Sequence, residues 1–353
     1  MTPRERWLAL FSRGCPDRVP CDYWGTPEVT ERLLREFACS SERGLWERLG
    51  VDRMARVAAI HPQAREKTWY VQSLYSVWSV GTREVSYGDG AGTYLESVSH
   101  PLANVLVAAD LEHFDWPDPG AWDTSGLRAE CQGWHDYPIM LGSYEPFLLY
   151  CRLRGIEEAF HDLFENPGIV DAALDRIHWI HETLLRRCLE EASDLIDFLY
   201  VGEDLGTQES LLMSPATFRR FIKPRLQSMM ELAHSFGVKV FHHDDGAIRR
   251  LIPELIEMGI DVLNPIQWRC RGMEREGLAK DFGAKVIFHG GIDNQQTLPF
   301  GTPEDVRRQV AENMKIFRGG KGYVVAPCHN IQPNTPTANI LALYEAVQEF
   351  GGP

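Results

Sequence analysis

Strand-like and helix-like segments alternate along nearly all of the 353 residues, which restricts the chain to α/β architectures built on parallel strands. Apolar and β-branched runs at 19–24, 54–60, 139–143, 196–202, 238–243, 261–266, 285–290 and 323–326 read as strands. Between them, Thr26, Ser214, Thr302 and Thr335 each precede a proline (27, 215, 303 and 336), a hydroxyl cap followed by a residue preset for the first helical turn. Helical spacing also assigns 156–164, 169–191 and a short lid at 1–13 carrying Trp7, Leu8, Leu10 and Phe11. Because no glycine-rich phosphate turn follows the first strand, the expected fold is a closed (β/α)8 TIM barrel rather than an open doubly wound sheet. One barrel domain is expected over 1–353. An antiparallel β excursion is expected after the second strand, at 62–107, where Trp69, Tyr70, Val71, Tyr75, Val77, Trp78 and Tyr94 are punctuated by Gly81, Gly88, Gly90 and Gly92.

Charge narrows the partners. With 36 basic against 50 acidic residues the net charge is −14, which repels nucleic acid and anionic membrane and leaves a small molecule as the expected ligand. No apolar run approaches the roughly 20 residues of a membrane helix. The eight cysteines form no CxxC pair and no leader-like segment precedes Cys15, so reduced thiols and a cytoplasmic location are expected.

In a barrel, polar residues just beyond the strands meet at the carboxyl end, however far apart in sequence. Those residues are Tyr23, Glu145, Glu203, Asp204, Gln208, His243, Asp245, Asn264, Gln267, His289, Asp293, Cys328 and His329. His243 and Asp245, two residues apart where a strand hands over to the next segment, can point into one cavity, with Cys328 or His329 as a third ligand. Zn²⁺ accepts such mixed N, O and S donors and leaves a position for a substrate thiol or water. Without metal, the same two residues would be a hydrogen-bonded pair that orients substrate. Strand alternation turns His242 toward the helices or a backbone carbonyl. His289, followed by Gly290 and Gly291, reads equally as a substrate contact or a satisfied core histidine. Glu203 and Asp204 read as a raised-pKa acid beside an ionised partner or as carboxylates stabilised at a helix amino terminus. Cys328 is a thiolate ligand or a small buried residue.

The block at 241–267, with His242, His243, Asp244, Asp245, Gly246, Asn264 and Gln267, resembles the uroporphyrinogen decarboxylase superfamily. So do 202–208 with Ser214 and Pro215, 290–293, and 328–332; the likeness runs from Arg4 to Val347. It implies a (β/α)8 barrel with its site at the carboxyl end, and either of two chemistries. One is cofactor-free decarboxylation of a porphyrinogen bearing eight carboxylates. The other is methyl transfer from a methylated corrinoid protein to a thiol or similar acceptor, with zinc held by His-x-Cys and a distant Cys. Where the decarboxylases carry an arginine-rich segment for substrate carboxylates, this chain has Trp24, Gly25, Thr26, Pro27 and Glu28. Where the methyltransferases place the first Cys it has Asp245, which makes a bound metal a harder Lewis acid.

The resemblance therefore implies a methyltransferase-like enzyme working between a corrinoid, carried by a partner protein, and a small acceptor. In that reading Zn²⁺ is held by His243, Asp245 and Cys328, and His329, Glu203 and Asp204 are catalytic. Tyr23, Glu145, Gln208, Asn264, Gln267, His289 and Asp293 contact substrate, and the protein is a monomer or homodimer. The alternatives are a metal-free lyase acting on a smaller carboxylic acid, and a non-catalytic binder of a tetrapyrrole or corrinoid protein whose docking surface includes Trp69, Trp78 and Trp116.

Overall fold

The structure is a computed structural model that describes residues 1–352 except 13, 67, 87 and 89–91. Nine strands are present among the described residues: β1 (Ala55–Val57), β2 (Gly81–Ser86), β3 (Thr93–Ser99), β4 (Ile139–Tyr144), β5 (Phe198–Gly202), β6 (Lys239–His243), β7 (Val262–Asn264), β8 (Ile287–Ile292) and β9 (Tyr323–Pro327). β2 and β3 form a separate antiparallel pair; the other seven make one parallel sheet in the order β1-β4-β5-β6-β7-β8-β9.

The sheet is curled, and its period of two separates two cores. Met54, Met140, Phe198, Tyr200, Phe241, Val262, Ile287 and Val324 point inward and pack together. Leu141, Leu199, Val201, Val240, Leu263, Phe288 and Val325 point outward and join the larger core beneath the helices. Strands covered on both faces are expected to be apolar throughout, and β4, β5 and β8 are buried at every position. The first helix, Pro3–Phe11, begins with a Thr2/Glu5 capping box and plugs the amino end of the strands. Its Trp7 meets Phe198 at 5.4 Å between ring centroids and donates to the Asp52 carbonyl at 2.9 Å, while Arg4 forks onto Asp197.

The expected first strand is not a ladder. Pro20 has no N–H to give, and residues 20–25 make isolated parallel bridges, Cys21 with Val325 and Gly25 with Ile331. Asp22 N still donates to Val325 O at 2.8 Å, and Cys21 O accepts from Asp52 N at 2.7 Å, so the segment lies between β9 and the approach to β1. Eight laddered strands are thus reduced to seven.

The excursion is half as expected. Its second part is the β2–β3 hairpin, but the aromatic stretch around Trp69, Tyr75 and Trp78 forms turns and a 3₁₀ segment, Val71–Ser73. Trp78 Nε1 donates to Val71 O at 2.9 Å, so this buried indole is satisfied locally and needs no strand partner. One helix start differs from expectation, and the helix that follows β6 is short. Pro336, without a side-chain cap, precedes Thr337–Phe350, and the helix after Gly246 runs only over Ile252–Met258. No described helix is long and apolar enough to cross a membrane, and all eight cysteines are unpaired.

Candidate functional site

β6 and β7 end in polar side chains on the inner face, and β8 carries a third, His289, within its length. The register pairs His243 of β6 with Asn264 of β7, and the Leu263–Phe288 pair one step back brings Asn264 beside His289 of β8. His243 Nδ1 lies 2.6 Å from Asn264 Oδ1, Asn264 Nδ2 2.7 Å from His289 Nδ1, and His289 Nε2 3.1 Å from Asp22 Oδ2. Asp22 also accepts from Trp24 Nε1 at 2.8 Å and its own neighbour Tyr23 N at 2.7 Å, with Arg53 3.5 Å away. All four relay residues are buried.

The direction of this relay follows from its charged end. Burial alone would push the Asp22 carboxyl up, but Arg53 and the hydrogen bond from His289 hold it below the usual carboxylate range, while burial lowers His289. An ionised Asp22 takes the proton-bearing Nε2 of a neutral His289, whose Nδ1 must then accept. That turns the Asn264 amide so that its Nδ2 donates to His289 and its Oδ1 accepts from His243 Nδ1–H. The lone pair of neutral His243 is therefore left on Nε2, facing the mouth. Replacing Asn264 with leucine should leave both imidazoles unoriented; zinc affinity, measured by competition with a chromogenic chelator, is expected to fall about 10–100-fold.

At the mouth, His243 Nε2 lies 3.9 Å from Asp245 Oδ2, and His329 Nε2 lies 3.8 Å from the same oxygen. One donor atom from each of His243, Asp245 and His329 falls within 4.8 Å of the others, and Asp204 Oδ1 is 3.7 Å from His243. Burial pulls the His243 pKa down, yet Asp245, Asp204 and Glu145 outweigh it and the net shift is upward. The turn that aims Asp245 needs Gly246. Its φ is +92°, and a Cβ there would sit 2.4 Å from the Gly206 carbonyl carbon. Gln267 Oε1 accepts from Gly246 N at 2.8 Å and pins the same turn.

The remaining expected residues are placed as follows. Cys328 is buried and its Sγ donates to Ile266 O at 3.1 Å, away from the cluster, so the third donor that joins His243 and Asp245 is His329. Glu203 accepts from Phe147 N at 2.7 Å and Leu148 N at 3.0 Å, capping the helix Pro146–Arg154. Glu203→Gln is accordingly expected to cost about 1–2 kcal/mol in urea unfolding while leaving zinc affinity unchanged. Glu145 accepts from Tyr200 Oη at 2.7 Å, itself the acceptor for Tyr70 Oη at 2.6 Å. Tyr23 faces away from the bore and bonds Thr30 at 2.9 Å, and exposed Gln208 accepts from Cys270 Sγ at 3.4 Å. Asp293 is tied up by Arg269 at 2.5 Å and by the amides of Gln295 and Thr297. His242 is buried among the outer core and pushed down to about 3 by burial, as strand alternation requires. Sequence reasoning passed over Asp22, Tyr200, Arg56 and Trp24, whose indole stacks on His243 at 5.8 Å. The signal was there for Asp22 and Trp24, which share one face of a segment whose next inward neighbours are a sheet of aromatics.

Imidazoles and carboxylates collect at the carboxyl ends of the curled parallel strands of this α/β protein, in a group that could hold a metal ion. The chain belongs to the uroporphyrinogen decarboxylase (URO-D) family, whose profile matches residues 124–350. It is 30% identical over 143 residues to the uroporphyrinogen decarboxylase of Thermus thermophilus, covering 39% of this chain and 38% of that one. It is also 26% identical over 215 residues to the methylcobamide:CoM methyltransferase MtaA of Methanosarcina barkeri, covering 61% and 59%. The matched stretches thus span less than two thirds of the length of these relatives. Among solved structures, a methyltransferase from Methanosarcina mazei superposes with a TM-score of 0.65 at 20% identity, covering 99% of both chains, a likeness of fold.

Proposed function

We propose that this chain is a methyltransferase-like enzyme that moves a methyl group between a corrinoid, carried by a partner protein, and a small acceptor. The observation that carries the proposal is the His243–Asp245–His329 cluster at the strand ends. Kinship with a methylcobamide methyltransferase supports it. In this reading residues 20–25 serve as the eighth stave of a barrel, and Trp24 forms part of the mouth.

The donor set suits Zn²⁺: two imidazoles and one carboxylate, with a fourth position for the acceptor. Asp245 supports the fit, because its Oδ1 is buried with no hydrogen-bond partner while Oδ2 faces both histidines. A zinc ion here would supply Lewis acidity that lowers the acceptor's pKa at neutral pH. The chain's own residues do the rest. Asp22, His289 and Asn264 keep the His243 lone pair on Nε2 and the ring fixed. Trp24 and Tyr200 stack against that ring at 5.8 and 5.9 Å and exclude water from it. Asp204, exposed at the rim and close to His243, is placed to receive the acceptor's proton.

The reading is tested by titrating chelator-treated protein with Zn²⁺ and following methylcobalamin absorbance with 2-mercaptoethanol as acceptor. About one equivalent bound and zinc-dependent loss of methylcobalamin are expected. Zinc binding without methyl loss for any thiol, amine or corrinoid protein offered would remove the transfer chemistry; no zinc binding would remove the site.

A further inference from the structure

We propose that Arg56 anchors a carboxylate-binding subsite, so that the small molecule handled at this mouth carries a carboxylate. The inference deepens the function proposed above and rests on it only in naming the ligand an acceptor; the binding itself needs neither metal nor methyl transfer.

Arg56 is the middle residue of β1, and its guanidinium lies between two indoles, 4.6 Å from the ring centroid of Trp24 and 4.3 Å from that of Trp69. Trp24 in turn stacks on His243, so the cation is one indole away from the metal-type cluster. Arg56 and Trp69 both line a cavity of about 1080 Å³. The Nε and Nη2 atoms of Arg56 are buried with no hydrogen-bond partner, and the residue enters no ion pair among the described residues. An edge of a guanidinium buried without an acceptor is costly, and a ligand carboxylate would supply one. Burial, reinforced by Arg53, lowers its pKa to about 9, which still leaves it charged at neutral pH.

The edge formed by Nε and Nη2 holds carboxylates at three other places in this protein, while Arg18 and Arg128 use Nη1 and Nη2 instead. Arg4 grips Asp197 through both atoms at 3.0 Å, Arg219 grips Glu254 at 2.9 and 2.7 Å, and Arg225 grips Asp175 at 3.0 and 2.6 Å. In Arg56 alone of these four the edge has no protein partner. The flanking indoles favour a planar anion. A carboxylate continues the guanidinium plane, whereas the out-of-plane oxygens of a phosphate or sulfonate would face electron-rich rings. Reaching the covered edge requires one wall to move, and Trp69, partly exposed in the cavity, is the less firmly held one, since Trp24 is buried and its Nε1 donates to Asp22.

The test is calorimetric titration of the full-length, metal-stripped protein with benzoate and its neutral isostere benzamide, with phosphate and methanesulfonate as tetrahedral competitors. Benzoate is expected to bind about tenfold or more tightly than benzamide, and Arg56→Met and Arg56→Lys to lose at least about tenfold of that affinity, Lys because it keeps the charge but not the fork. Zinc titration of each variant reports whether it is folded; should Arg56→Met fail to fold, Arg56→Lys and the benzoate-to-benzamide ratio of the unaltered protein decide. Equal binding of benzoate and benzamide, benzoate affinity indifferent to the Arg56 substitutions, or displacement by phosphate or methanesulfonate as effective as by a second carboxylate would overturn the proposal. Because no metal is present, failure here leaves the zinc and methyl-transfer results untouched, and failure there leaves this one standing.

Discussion

His243→Ala is expected to reduce bound zinc from about one equivalent to below about 0.1 and to slow zinc-dependent loss of methylcobalamin by at least ~10³-fold. The effect is large because His243 joins the two halves of the site. Its Nε2 faces Asp245 and Asp204, its Nδ1 is fixed by Asn264, and its ring is held between Trp24 and Tyr200. Alanine removes the donor that the relay exists to present, and no neighbour can replace it, since adjacent His242 points into the outer core. Substituting the more exposed His329 with glutamine should weaken zinc by less, because its ring lacks such a support. Metal analysis on protein purified without chelator reads both. Retention of half the zinc in His243→Ala would break the link between this histidine and the metal.

The second large effect is on stability. Asp22→Ala is expected to cost about 3–5 kcal/mol, read as a lower urea midpoint at unchanged slope. Asp22 is fully buried, and removing it strands His289 Nε2–H, Trp24 Nε1–H and the Arg53 cation without their acceptor. A domain of ordinary stability has little more than that to lose. The pH dependence has a definite sign. The folded Asp22 pKa lies below its unfolded value, so its contribution is complete above the ordinary carboxylate pKa and is lost as pH falls through the lower folded one. Asp22→Ala should therefore flatten the acid limb of the stability profile. Zinc affinity should fall as well, because His289 would no longer be held in the tautomer that orients Asn264.

The parallel α/β order was legible because strand runs and hydroxyl–proline starts are local signals, and Ser214 and Thr302 do accept the amide hydrogen bonds those starts require. His243 and Asp245 were legible because two ligand types two residues apart at a strand end must share a side. The choice between Cys328 and His329 was not. Just beyond β9 the chain stops alternating, and the thiol is drawn back to the Ile266 carbonyl while the imidazole reaches Asp245. Asp22 was hidden because an aspartate in an apolar run reads as a solvated strand edge, and only the register of β6, β7 and β8 reveals the chain of partners that buries it. Glu203 carried two readings, and both have support: it accepts the amides of Phe147 and Leu148, while burial, with Glu145 and Asp204 nearby, pushes its carboxyl well above the usual range. Arg56 was passed over since a single cation in a short strand has no spacing to mark it.

The most direct test is anomalous diffraction at the zinc absorption edge from crystals of protein loaded with one equivalent of Zn²⁺. A single strong peak bounded by His243 Nε2, the Asp245 carboxylate and His329 Nε2 is expected, with Cys328 Sγ outside its coordination. A peak at Cys328, at another surface site, or no ordered peak at the mouth would contradict it.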